Sequence, residues 1–158
     1  MIERALALQE SAAFRARRGL MLMSIVIARA VPEDQYDRLW EEAGSDLARA
    51  VQLDPAVALP VYEVAASMLV DLDQNARGAA ILERVISAML AQPQNVALTP
   101  AELAPIYLRL SELLIRSGQA ATGIAYADQA LALPLEPDDR DRFASSRLEL
   151  IELAKSTQ

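Results

Sequence analysis

Oxygen-bearing side chains stand at alternate positions in Asp71-Leu72-Asp73-Gln74-Asn75. A calcium loop begins this way, because a hard cation is surrounded by carboxylate and carbonyl oxygens. The loop also needs glycine at its sixth position and a bidentate glutamate at its twelfth. This chain has Ala76 and Leu82 there, so the segment reads as a helix-to-helix turn. Gly118 and Gly123 have the spacing of a phosphate loop's glycines, but Ile124 and Ala125 follow them. Without the lysine and hydroxyl that would hold phosphates and magnesium, the two glycines read as a helix cap and a packing contact. Arg17 and Arg18 precede an apolar run from Leu20 to Ala28 that ends in Ala28-Arg29-Ala30, the outline of a twin-arginine export signal. That run is well short of the roughly 20 residues that span a bilayer. It also lies behind a "MIERALALQE" segment already patterned as structure, so a buried helix is the preferred reading.

Two acidic runs complete the candidates. Glu33, Asp34, Asp37, Glu41, Glu42 and Asp46 form one, and Asp138, Asp139 and Asp141 the other. Either could meet a basic partner. The reading preferred for both is a solvated helix face, with negative charge near the positive N-terminal end of its helix. The chain has no histidine and no cysteine, which removes the commonest general base, the commonest nitrogen ligand for zinc, and every disulfide or thiolate site. Neither a catalytic residue nor a metal or cofactor site is expected. With 22 acidic against 15 basic residues the net charge is −7, which argues against nonspecific nucleic-acid binding and fits a protein or peptide partner.

The elements that must carry these residues are helical. A chain of 158 residues with 53% apolar content can bury a core, and its few aromatic residues beside abundant Ala and Leu favour helix-on-helix packing. The phrase "RALALQE" returns as "RAVQLDP", "SAMLAQP" and "QALALPL", with Ala5, Ala50, Ala88 and Ala130 at intervals of 45, 38 and 42 residues. Each interval fits one helix pair. Pro55, Pro93 and Pro134 follow the last three copies and can stop a helix or start the next. The pattern predicts helices over 12–31, ended by Pro32, and 33–53, with Tyr36, Trp40, Leu47 and Val51 on one face. Further helices are predicted over 57–72, 75–91, 100–117, 119–133 and 138–156. Thr99-Pro100-Ala101-Glu102 matches a capping box, Pro105 leaves open a start one turn later, and Gly118 suits a left-handed cap. The last helix carries Phe143, Leu150, Ile151 and Ala154 on one stripe. No segment has a strand pattern. The chain is therefore expected to be a single all-α domain of hairpins at 12–53, 57–92 and 100–134 with a capping helix at 138–156.

The segment "IYLRLSELLIRSGQAATGIAYADQALALP" resembles the tetratricopeptide repeat, a pair of antiparallel helices marked by an arrangement of large and small residues. Tyr107, Leu110 and Leu114 take the large positions, Ser111 and Gly123 the small ones, Gly118 the turn and Ala130 the closing alanine. The stretches with Val61, Val64, Ala65 and Met68, and with Leu20, Met23, Ser24 and Ile27, follow the pattern more loosely. All three intervals exceed the family unit of about 34 residues. The resemblance implies a right-handed α-solenoid whose first helices line a concave groove, here Arg18, Met21, Ile25, Tyr62, Leu69, Leu108, Glu112, Ile115 and Arg116. Such a lining, apolar and flanked by arginines, suits a scaffold that takes a partner's helix or apolar segment. Lys155, Asn75 and Asn95 lie off those helices, so the family's carboxylate clamp is not expected. Two further readings stay open: a module that self-associates through its ends, and a regulatory domain of a larger enzyme or envelope-assembly protein. Because "IERALALQE" reads as the closing half of a hairpin, a longer protein is expected. Its compartment would be the cytoplasm, or the periplasm or envelope if the whole is exported, without direct insertion into a membrane.

Overall fold

A computed structural model describes residues 11–69, 75–91 and 98–157. Asp71 and Asp73 of the calcium-like stretch, together with Ala5, Pro93 and Asn95, lie outside the described residues. Among those described there are seven α-helices and no strand, so the chain is all-α. It divides into two compact units, one of Met1–Leu72 and Ala80–Val96, the other of Asp73–Ala79 and Ala97–Gln158.

The first unit is built on helices α1 (Ala12–Ile27) and α2 (Tyr36–Leu53). Ser11 caps α1 by accepting a hydrogen bond from the Phe14 amide at 3.1 Å. The helix stops at Ile27, four residues before the expected end at Val31. Its last carbonyls are satisfied by a Schellman turn, in which the Arg29 amide donates to Val26 and the Ala30 amide to Ile25, each at 3.0 Å. Arg29 adopts the left-handed φ of 52° that this turn requires. Pro32 ends nothing directly; it bars a helical conformation at the preceding residue, after the helix has already closed.

A 3₁₀ turn over Glu33–Gln35 leads into α2, which buries Leu39, Trp40, Ala43, Leu47, Ala50 and Val51. Asp54 accepts from the Ala56 amide at 3.0 Å and so starts a second 3₁₀ turn, Pro55–Val57, ahead of α3 (Ala58–Met68). α1 crosses α2 at Gly19, where a Cβ would meet Leu47 and the Ala43 carbonyl at 2.7 and 3.0 Å. α3 packs on both helices. From Ala80 onward α4 (Asn75–Leu90) belongs to this unit, and its Ile81 and Arg84 lie against Gly44 of α2.

The second unit contains α5 (Pro100–Arg116), α6 (Ala120–Ala132) and α7 (Pro137–Ser156). α5 starts at Pro100, because the capping box is complete. The Glu102 amide donates to Thr99 Oγ1 at 3.3 Å, and the Thr99 amide to Glu102 Oε2 at 2.8 Å. The Thr99 amide first, and then the Thr99 hydroxyl, which donates to the same Glu102 oxygen at 2.8 Å, hold the Glu102 carboxyl below its ordinary pKa. Pro105 sits inside the helix on an exposed face, where the loss of one amide donor is tolerated. A second Schellman turn closes α5, with Gly118 at φ 84° donating to Ile115 and Gln119 to Leu114. α5 and α6 then meet at Gly123, whose missing side chain lets α6 approach the Ser111 carbonyl. Tyr107 and Tyr126 stack across the pair, ring centres 6.0 Å apart, and burial raises the Tyr107 hydroxyl above its ordinary pKa. α7 packs on both helices and buries Phe143, Leu150 and Ala154. The recurring alanines within the described residues, Ala50, Ala88 and Ala130, are all buried near the ends of α2, α4 and α6.

Candidate partner-binding cleft

Helical spacing places Pro105, Leu108, Arg109, Glu112 and Arg116 in one stripe along α5. Opposite them α7 presents Arg142, Phe143, Ser146, Glu149, Leu150 and Leu153. The two stripes enclose a cleft of 570 Å³ within the second unit. Leu108, Phe143 and Leu150 form a buried apolar floor, with Leu153 half-buried beside them. Guanidinium groups form the rim. Glu112 lies between two of them, accepting at Oε2 from Arg109 Nη1 at 2.6 Å and at Oε1 from Arg116 Nε at 3.0 Å. Arg142 lies over the Phe143 ring, 4.5 Å from its centre, and donates to Asp139 at 2.8 Å.

Of the nine residues assigned to a groove from sequence, this cleft brings together Leu108, Glu112 and Arg116. Ile115 is fully buried on the other side of α5, against the Gly123 position. The remaining five belong to the first unit. Tyr62 and Leu69 are buried, Ile25 is half-buried, and Met21 is 55% exposed. Arg18 reaches across to α2, donating to Glu42 Oε2 at 3.1 Å and to Asp46 Oδ1 at 3.3 Å.

Asp46 departs from the expectation of a solvated acidic face. It is 3% exposed and accepts from Arg15 Nη1 at 2.7 Å, whereas Glu33, Asp34, Asp37 and Glu41 do face solvent. The reason is register: α1 lays two arginines, one helical turn apart, over the position where Asp46 turns inward. The Leu20 to Ala28 run likewise forms part of α1 and its closing turn, and buries Leu22, Met23 and Val26. Sequence reading missed the α7 side of the cleft and Arg109. The available signal was the spacing of Arg109, Glu112 and Arg116, which puts three charges on one face of the helix among apolar neighbours.

Comparison with protein-family models, with curated proteins and with solved structures finds no match. Among the described residues no helix is long and apolar enough to cross a membrane.

Proposed function

We propose that this chain is a tetratricopeptide-like array, a right-handed α-solenoid of helical hairpins, that works as a protein-interaction scaffold. On this reading the cleft between α5 and α7 receives a helix or apolar segment of a partner. The observation that carries it is the cleft itself, an apolar floor of Leu108, Phe143 and Leu150 inside a rim of guanidinium groups. Apolar pockets with a few placed polar groups are the usual form of a binding site. The repeat reading is supported by the matching closures of α1 and α5, the close crossings at Gly19 and Gly123, and the buried alanines near the ends of three helices.

Selection of a displayed peptide library on the immobilised protein tests the proposal. Enriched peptides should carry bulky apolar residues and should lose binding to Leu153→Glu and Arg116→Glu variants that keep their helical circular dichroism. Enrichment indifferent to both variants would refute the cleft as the site. A second reading, self-association, is favoured by the exposure of Phe14 and Met21 two turns apart on α1, at 42% and 55%. Sedimentation equilibrium over a wide concentration range decides it, since a strict monomer rules it out.

A further inference from the structure

Resting on the reading of this cleft as a peptide site, we infer that its occupant is an acidic amphipathic segment, with a side-chain carboxylate set between bulky apolar residues. Glu112 shows what the rim is shaped to hold. Its two oxygens each take a hydrogen bond from a different guanidinium, Arg109 on one side and Arg116 on the other. A guanidinium carries five N–H donors in a planar fork matched to carboxylates. Among the described residues the Arg109 and Arg116 side chains each donate one bond, so most of their guanidinium donors are not engaged by the protein. Arg142 adds a third guanidinium, and its acid, Asp139, stands outside the cleft lining. Along α5 two guanidiniums thus face the single carboxylate of Glu112. Across the cleft Arg142 is paired with Asp139 and Glu149 adds an acid, so the positive excess lies on the α5 side, on a chain of net charge −7. A basic partner would find Glu112 already neutralised from both sides. An acidic one finds the unused donors of Arg109 and Arg116 in the same lining as the apolar floor, and charge complementarity on the α5 side then fixes where its carboxylate sits.

Glu112 is therefore a placeholder: it engages the two arginines that an incoming carboxylate would use, and it competes with that carboxylate. Removing its charge strengthens acidic binding, whereas removing Arg116 weakens it.

The test uses three acetylated, amidated peptides with the same leucine and phenylalanine positions and glutamate, glutamine or lysine between them, titrated by fluorescence anisotropy. The glutamate peptide should bind tightest. Glu112→Gln should tighten it about two- to fivefold, the scale of one exposed ion pair, and leave the glutamine peptide unchanged. Arg116→Gln should reduce the glutamate peptide to the level of the glutamine one. Both residues are partly exposed at the rim, and circular dichroism of each variant checks that the fold is kept. Equal binding of the glutamate and glutamine peptides would overturn the inference while leaving the cleft a peptide site. So would tightest binding of the lysine peptide, or weaker glutamate binding by Glu112→Gln. A glutamine peptide with a free C-terminal carboxylate that matches the glutamate peptide would move recognition to a chain end and overturn it too. If none of the three binds, the reading of the cleft fails and the inference with it.

Discussion

Gly123→Ala should destabilise the protein even though alanine is the better helix former. In a solvent-exposed helix interior the exchange gains about 1 kcal/mol. At this position the new methyl carbon would lie 2.7 Å from the Ser111 carbonyl oxygen, 2.7 Å from Ile115 Cγ1 and 3.2 Å from the Ile115 amide nitrogen. Two of those atoms are helix backbone and cannot rotate away, so α5 and α6 must separate by several tenths of an ångström. Overpacking of this kind costs about 1–3 kcal/mol. Against the propensity gain, the expected net loss is about 1 kcal/mol, or roughly 2–4 °C in Tm for a chain of this size. Ala125 supplies the control, because it is exposed on the same helix and the reverse exchange, Ala125→Gly, should also cost about 1 kcal/mol. Urea denaturation followed by far-UV circular dichroism measures both. The near-UV signal of the stacked Tyr107 and Tyr126 follows the α5–α6 pair directly. If Gly123→Ala stabilises the protein while Ala125→Gly destabilises it, helix propensity governs both sites and the close crossing is refuted.

Arg29→Gly should stabilise by about 0.5–1 kcal/mol, since glycine takes the left-handed conformation without the strain of a Cβ, and Gly118→Ala in the matching turn should lose about as much. Thermal melts of the two variants should move in opposite directions. Asp46→Ala should cost about 2 kcal/mol, less than the loss from a fully buried pair, because Arg15 and Arg18 remain 25% and 39% exposed and regain some water. Asp46→Asn, which keeps the volume and one acceptor, should cost less in the same denaturation experiment. Burial raises the Tyr107 pKa, so its contribution to stability is complete below the ordinary value of 10.0 and is lost as pH rises through the higher folded value. Stability profiles of the wild type and Tyr107→Phe should therefore run parallel below that pH and converge or cross only above it. For Glu102 the sign is reversed: its lowered pKa gives a contribution present above the ordinary carboxyl value and lost as pH falls through the folded one. Thr99→Ala should flatten that acid limb.

The features legible in the sequence are those set within a few residues. The capping box at Thr99, the left-handed glycine at 118 and the crossing glycine at 123 each follow from one local motif, and the helices stand where those motifs put them. The end of α1 is not legible, for an equally local reason. Arginine is a costly residue in a left-handed cap, so nothing in Ala28-Arg29-Ala30 announces one. Asp46 and the cleft are different in kind, since both depend on which helices lie side by side. The spacing of α2's acids is the same whether Asp46 meets water or Arg15, and only the docking of α1 decides it.

The cleft follows from the same physics as the Asp46 cluster, with the opposite outcome. α7 carries an apolar stripe that would gain by closing fully onto α5, and Phe143, Leu150 and Ala154 do reach the interior. Closing over the rest would strip water from Arg109, Glu112 and Arg116, three linked charges with few bonds between them. The effective penalty for burying an ion is several kcal/mol, against about 1.5–3 kcal/mol for one buried leucine. At Asp46 two arginines converge on one carboxylate between tightly crossed helices, and the cluster is tolerated inside. Along α5 the charges are spread over two turns of helix, so desolvation outweighs the contact that Leu153 would add and the groove stays open. The charged stripe of Arg109, Glu112 and Arg116 is thus what maintains an open, apolar-floored cleft between α5 and α7.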